Sequence, residues 1–422
     1  MIKIALRNSD FIKNIGTLVS GTALAQLAPI IVTPVLTRLY TPEEFGYLAL
    51  YIAIGSILSM VVTGRYELAI LVPKTDKVAL NVMALSVTLS LLVSLVLLIF
   101  IVVFSEAFVA YFNISSPYEW LYLVPFSTAI VGIYQSYSYW CNRKAKYKDM
   151  ALSRVVQSGS VSASQLGLGY LNLGLWGLLI GHIVGQTLSL LYLVSRGRNN
   201  RKEGINVLRI KGTAKKYKKF PKYLILAHTI NATSSQSPSI LISTLYNTTI
   251  TGFFLITQRV LQVPISLISG AIGEVFRQKA SSQYASTGTC RDLFVRMLLV
   301  LIFVSIVPFM TLYLYIQDIF NLFLGEDWSL AGEYAKILLP VYFMRFVSSP
   351  LSSMFIIAEA QKLDLIWQVL LQMMVIMSFV IGYFFDSVEI ALILFSSTYV
   401  IMFLINIFIS YNLSGPKNDK IC

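Results

Sequence analysis

The chain has 422 residues, of which 56% are hydrophobic and only 13% charged, with a formal net charge of +13. Its mean hydropathy is +0.72. Soluble domains carry about 25% charged residues, and a soluble fold of this length cannot hide so much apolar surface and still cover its exterior with polar groups. An ordinary cytosolic enzyme, a disordered chain and a secreted disulfide scaffold are excluded, and the composition is that of a polytopic membrane protein. In a soluble protein the positive charge would suggest nucleic acid. Here it is read as topology, and no nucleic-acid partner is expected.

In chain order, hydropathy predicts twelve spans, over 11–37, 46–64, 78–104, 118–140, 150–170, 172–194, 223–245, 252–273, 292–316, 331–357, 363–385 and 388–411. The first, with Gln26, Pro29 and Pro34 inside it, is read as an uncleaved span rather than a signal peptide. The fifth and sixth must turn within a few residues between Tyr170 and Gly174. Most Lys and Arg fall before span 1 and after spans 2, 4, 6, 8, 10 and 12, the densest run being 195–222. The opposite loops carry Glu43, Glu44, Glu106, Glu119, Asp318, Glu326, Asp327, Asp386 and Glu389. The positive-inside rule then places both termini in the cytoplasm, as an even span count also requires. Three cysteines, Cys141, Cys290 and Cys422, without CxxC spacing, support neither a disulfide framework nor a metal site.

The basic stretch also divides the chain into an N-lobe of six spans (1–194), a cytoplasmic linker (195–222) and a C-lobe of six spans (223–422). A short repeat supports duplication. Leu39 to Tyr47 reads LYTPEEFGY and Leu245 to Phe253 reads LYNTTITGF, at an offset of 206 and at equivalent places in the two halves. Six spans per half give a parallel repeat about an axis along the membrane normal, an architecture of transporters.

Ionisable and amide side chains at bilayer depth are costly and usually face a cavity. Arg154, Arg259 and Arg345 are read in that way, while Arg38 and Arg65 lie near span ends. Gln26 lies in span 1; His228, Asn231, Ser235 and Ser239 share a face of span 7; Arg259, Gln262, Ser266, Ser269 and Gly273 share a face of span 8. Small residues on those faces equally suit helix packing, and His182 and His228 suit packing as well as function. No Walker A, GxGxxG, HExxH or GxSxG sequence occurs in a fitting context, so no catalytic residue, cofactor or metal is expected. External loops of at most about fifteen residues disfavour a membrane glycosyl or acyl transferase.

Four segments carry a family resemblance: RYELAILVPKTDKVALNV (65–82), YWCNRKAKYKDMALSRVVQSG (139–159), FPKYLILAHTINATSSQSPSILIS (220–243) and TGFFLITQRVLQVPISLISGAIGEVFRQKAS (251–281). They resemble the Wzx-type polysaccharide-biosynthesis flippases, relatives of the MATE drug exporters and the lipid II flippases. The resemblance covers about residues 10–410, and the QRVLQVPISLI block is its most specific part. It implies an all-α integral membrane protein of about twelve transmembrane helices in two six-helix, MATE-like lobes of a bacterial inner membrane. The implied activity is export of undecaprenyl-diphosphate-linked oligosaccharide repeat units by alternating access. Membrane lipids, a glycan polymerase and chain-length proteins are candidate partners. Lipid II flippases hold arginines in a central cavity, and the matching positions here are Arg38, Arg65 and Arg259. Together with Arg154, Arg345, Gln26, Gln262, His228 and Asn231 these are the candidate substrate-binding residues. Glu67 is the candidate for ion coupling, since span 1 has no acid of the kind drug exporters use. That departure disfavours the alternative, a cation-coupled exporter of drugs or small molecules on the same fold.

The charge pattern makes a topological prediction. A membrane-impermeant thiol reagent added outside should modify a cysteine placed at Glu326 and spare one placed at Lys216; the reverse pattern would overturn the orientation.

Overall fold

The computed structural model describes residues 9–111, 118–197, 207–262 and 265–416. Its regular elements are all helical among those residues. An apolar solvent leaves a backbone amide no partner outside its own segment, so a helix is the default for each apolar run. Helical elements occupy the expected spans among the described residues, and several outlast the apolar run that announced them. Among the described residues, six helices are long and apolar enough to cross a membrane: Pro42–Val62, Asp76–Ala107, Leu175–Gly197, Arg291–Leu324, Gln361–Phe384 and Val388–Leu413. By packing, the chain divides into two units, Met1–Gly252 and Phe253–Cys422; the duplication boundary read from the sequence, 195–222, lies earlier in the chain.

In the first unit, α1 (Ser9–Leu39) is followed by α2 (Pro42–Val62). Thr41 and Glu44 form a reciprocal capping box that starts α2, with Pro42 at the first helical position, where its missing N–H costs nothing. The helix cannot continue past Val62, because Gly64 and Arg65 take left-handed φ values of +60° and +58°. The chain resumes as one turn, α3 (Tyr66–Ala69), and then as α4 (Asp76–Tyr111). Next come α5 (Leu123–Arg143), α6 (Tyr147–Tyr170) and α7 (Leu175–Gly197). The close turn between α6 and α7 is made by Asn172 and Gly174, both left-handed. The short α8 (Val207–Lys216) leads into α9 (Lys219–Leu245).

Helix contacts here use small residues, as expected where no water drives association. A Cβ on Gly181 would lie 2.6 Å from Gln165 Cγ, and one on Gly185 would lie 2.2 Å from Val161 Cγ2, so α7 sits directly on α6. Polar side chains tie the same bundle. Gln165 donates to the Leu178 carbonyl at 2.9 Å, and Tyr40 donates to the Gln165 carbonyl at 2.6 Å.

The repeat meets itself. A Cβ on Gly46 would lie 1.8 Å from the Thr248 carbonyl oxygen, and one on Gly252 would lie 1.8 Å from that of Pro42. Pro42 and Thr248 stand at the same offset of 206 as the two glycines, so the start of α2 and the start of α10 (Thr248–Leu261) touch through equivalent atoms. The aromatic residue after each glycine also has an equivalent partner. Tyr47 packs on Trp120 with ring centroids 6.3 Å apart, and Phe253 packs on Trp328 at 5.6 Å. Each tryptophan lies in a short 3-10 turn, Glu119–Tyr122 or Glu326–Trp328.

The second unit continues α10 and corrects one expectation. Span 8 is not a single helix: α10 ends at Leu261, a π-turn covers Ile265–Ser269, and α11 runs from Gly270 to Thr287. Pro264 has no N–H to give such a helix, and the wider turn alters the register. Ser269 donates to the Phe346 carbonyl at 2.9 Å, while residues 263–264 and the Ser266 side chain lie outside the described residues. Span 10 is likewise broken, α13 (Ser329–Leu351) giving way to the single turn α14 (Met354–Ile357). With α12 (Arg291–Leu324), α15 (Gln361–Phe384) and α16 (Val388–Leu413), these complete the unit.

The glycine crossing carries a prediction. Gly46→Ala or Gly252→Ala places a methyl against backbone, and each should lower the thermal unfolding temperature of the purified protein at a cost of about 1–3 kcal/mol. The double variant should cost less than the two singles combined, because both act on one contact. Unchanged melting curves would show that the helices separate freely there.

Candidate functional site

Below the break at Gly64 the first unit encloses a cavity of about 520 Å³. Helix α2 contributes Ser56 and Met60, the residues beyond its end contribute Arg65 and Glu67, α5 contributes Gln135 and Tyr139, and α9 contributes His228, Asn231, Ala232, Ser235 and Gln236. The sequence places these residues by simple means. Gln135 and Tyr139, like His228 and Ala232, are one turn apart on a helix. Arg65 is brought in by the left-handed backbone that stops α2, with its own N–H donating to Thr63 Oγ1 at 3.2 Å.

The chemical centre is an ion pair. Arg65 Nη1 lies 3.1 Å from Glu67 Oε1, and their side chains are 8% and 1% exposed. The guanidinium also lies 3.5 Å from the Met60 sulfur. Arg65 Nε and Glu67 Oε2 are buried without a hydrogen-bond partner, as is Gln135 Oε1 nearby. Arg65 is close enough to act electrostatically on His228, and both charges of the pair act on Tyr139. The cavity thus combines one cation, one anion and uncharged groups able to donate and accept hydrogen bonds. Such a set can hold a ligand bearing both an anionic group and many hydroxyls.

A smaller cavity of about 90 Å³ adjoins it through the shared residue Ser56. Its walls include Tyr51, Ser59, Ser127, His182 and Gln186. Ser127 donates to Gln186 Oε1 at 2.8 Å, Gln186 Nε2 and His182 Nε2 are 3.0 Å apart, and the Tyr51 ring stands edge-on to His182 at 5.9 Å. Both cavities open from the same α2 face, since Tyr51, Gly55, Ser56, Ser59 and Met60 recur at helical spacing.

The structure brings together four of the sequence candidates: Arg65, Glu67, His228 and Asn231. The other candidates lie outside this cavity. Arg38 is exposed at the end of α1, and the length of α2 separates it from Arg65 by roughly 30 Å. Gln26 is half-buried in α1 with its Oε1 unpartnered. Arg154 is half-buried in α6. In the second unit, Arg259 is half-buried near the end of α10, Gln262 is exposed just after it, and Arg345 is exposed on α13 within electrostatic reach of Tyr342 and Tyr399. Gln135, Tyr139, Ser56 and Gln236 were not singled out from the sequence, although the spacing of Gln135 and Tyr139 on a proline-containing span was a usable signal. Among the described residues no group of three or more His, Cys, Asp or Glu could hold a metal ion.

The fold is shared with solved structures described as transporters of the MOP superfamily. The chain is similar to a MATE multidrug-resistance transporter in an inward-facing conformation, with TM-score 0.73, 12% identity and 94% of each chain covered. It is similar to the lipid II flippase MurJ in an inward closed conformation, with TM-score 0.73 and 13% identity over 96% of this chain and 90% of that one. A MOP-superfamily transporter from Pyrococcus furiosus, described as having a binding pocket of reversed polarity, gives TM-score 0.58 and 13% identity over 95% and 96%. No curated protein matches the sequence. A family profile described as polysaccharide biosynthesis protein matches residues 35–332, and the chain belongs to that family. Its long apolar helices are those of a multi-pass membrane protein.

The ion pair predicts an asymmetric mutational pattern. Arg65→Ala leaves Glu67 buried and uncompensated, and should destabilise the detergent-solubilised protein by about 3–5 kcal/mol. Adding Glu67→Ala to it should restore part of the loss in thermal unfolding. A double variant less stable than Arg65→Ala alone would show that the two charges do not depend on each other.

Proposed function

We propose that the protein is a flippase that moves undecaprenyl-diphosphate-linked oligosaccharide repeat units from the cytoplasmic to the outer leaflet of a bacterial inner membrane by alternating access. The observation that carries this reading is the buried Arg65–Glu67 pair, which lines a cavity together with amide and hydroxyl side chains and keeps Nε and Oε2 without hydrogen-bond partners. Membership of a polysaccharide biosynthesis family supports the sugar part of the substrate. A diphosphate headgroup and its sugars cannot cross hydrocarbon unassisted, whereas the lipid tail can stay in the bilayer. Guanidinium matches phosphate oxygens in a two-pronged contact, so Arg65 is assigned to the diphosphate. Gln135, Asn231 and Gln236 offer replaceable hydrogen bonds to sugar hydroxyls.

Glu67 is assigned the coupling role. In the empty cavity it neutralises Arg65, and a diphosphate that captures Arg65 must first displace it. The membrane potential contributes about 2.3 kcal/mol per charge per 100 mV to moving an anion out of a negative interior.

The test is a cell-surface glycan assay in a strain lacking the gene, with protein abundance measured in parallel. Arg65→Ala should lower surface glycan far more than its loss of protein abundance explains, and Arg65→Ala with Glu67→Ala, whose stability is partly restored, should stay inactive. Arg65→Lys should restore only part, because Lys keeps the charge and loses the fork. Full glycan display per unit of protein by either Ala variant would remove Arg65 from the site and overturn the diphosphate assignment.

A further inference from the structure

We propose that the basic segment Lys215–Lys222 docks on the headgroups of anionic phospholipids and that this contact is passed to the Arg65–Glu67 cage through Tyr66. The residues of 207–222 include seven Lys and Arg and no acid. Lys215, Lys216, Lys218, Lys219 and Lys222 are all exposed, and none of the five forms an ion pair among the described residues. The other side of the segment is fixed in place. Thr213 and Tyr217 are buried, and Ile210, Ala214 and Phe220 pack on a cluster containing Tyr66, Ile70, Leu80, Met83, Tyr137 and Trp140. Leu80 and Met83 stand one and two turns into α4, so α8 lies within about 10 Å of the point where that span begins. A segment at that depth, with exposed lysines and with Tyr217 and Phe220 turned inward, has the make-up of an interfacial element. The adjoining Tyr223 is 60% exposed, as an interface anchor should be.

Two features make an anionic surface the fitting occupant. The lysines lie on either side of the start of α9, whose first turn contains no acid and whose N-cap, Lys218, makes no side-chain cap hydrogen bond. Helix N-termini disfavour cations, so this one lacks the negative charge it needs, and lipid phosphates would supply it. Four to eight basic residues beside a span suit anionic lipid, each adding about fivefold to the partition.

The link to the cavity is short. The Tyr66 hydroxyl donates to the Ala214 carbonyl at 3.1 Å, and Tyr66 lies between Arg65 and Glu67 in the chain. The same basic segment runs directly into α9, which carries His228 and Asn231 on the facing wall. Both walls of the cage are therefore fastened to one lipid-facing element. The docking surface stands without the flippase reading, and only a consequence for transport would rest on it.

The experiment uses the full-length protein without substrate, in bilayers of phosphatidylcholine alone or mixed with phosphatidylglycerol, followed by amide hydrogen exchange. Phosphatidylglycerol should slow exchange across 207–222 at least fivefold, and high salt should reverse the effect. The variant with Lys215, Lys216, Lys218, Lys219 and Lys222 all changed to Gln should lose it. Exchange at 64–70 should also slow in the wild type. In Tyr66→Phe that second response should vanish while 207–222 still responds. Exchange in 207–222 that ignores phosphatidylglycerol, or responds equally in the Gln variant, overturns the docking surface. A response at 64–70 that persists in Tyr66→Phe overturns the link. No arm depends on transport, so failure here and failure of the flippase reading are separately visible.

Discussion

Removing an arginine and a glutamate from water costs several kcal/mol for each charge, and their mutual attraction offsets this only where the geometry is good and the remaining hydrogen bonds are made. At Arg65 and Glu67 the contact is close, at 3.1 Å, but the remaining hydrogen bonds are missing. The surrounding elements are arranged around that deficit. Helix α2 must stop, so Gly64 and Arg65 turn left-handed; α3 is a single turn that returns Glu67 to its partner; α5 and α9 supply polar side chains to the space beside the pair. A core evolved for stability alone would replace such a pair with apolar residues at little or no loss. Its presence accords with the proposed substrate, whose phosphate oxygens would complete the missing contacts.

A second constraint acts at the opposite end of α2. Where Gly46 meets the Thr248 carbonyl and Gly252 meets that of Pro42, the two backbones approach as no side chain would allow. The equivalence extends to the next residue, with Tyr47 on Trp120 and Phe253 on Trp328. A duplicated sequence whose copies kept this geometry has kept more than a helix start. Glycine followed by an aromatic residue is the minimal pattern that allows close crossing while anchoring the next turn on a rigid ring.

Much of this fold was legible in the sequence because a span is a local property: about twenty apolar residues suffice to announce it. The cavity was legible in part for the same reason. His228 and Asn231 share a helix face by spacing alone, and Arg65 and Glu67 are too polar for their surroundings. Gln135 and Tyr139 give no distinct signal, because polar side chains one turn apart suit helix packing as well as a site, and the meeting of α5 and α9 at one cavity is long-range and leaves no local mark. The break in span 8 was hidden because hydropathy is indifferent to whether a turn is α or π. The basic stretch was read by charge as a linker. Its apolar face, Ile210, Ala214 and Tyr217, appears only when the segment is taken at helical period, and its partner Tyr66 lies 148 residues away.

These features together favour a cavity that exchanges partners over one that simply binds. An arginine satisfied by a full shell of fixed acceptors would hold a diphosphate no better than water does, and an arginine with none would not remain buried. Pairing with a single carboxylate lies between these limits. It keeps the guanidinium charged and oriented while leaving Nε free for a second acceptor. A diphosphate offers more acceptor oxygens than the carboxylate and can engage both prongs of the guanidinium. The gain on capture is then the difference between two charge-assisted contacts rather than the whole of one, which keeps release on the far side accessible. The same reasoning favours Gln, Asn and Ser at the positions proposed to meet sugar hydroxyls. Each such hydrogen bond is worth only about 0.5–1.5 kcal/mol net, so many can be made and broken in a cycle without any one of them trapping the cargo.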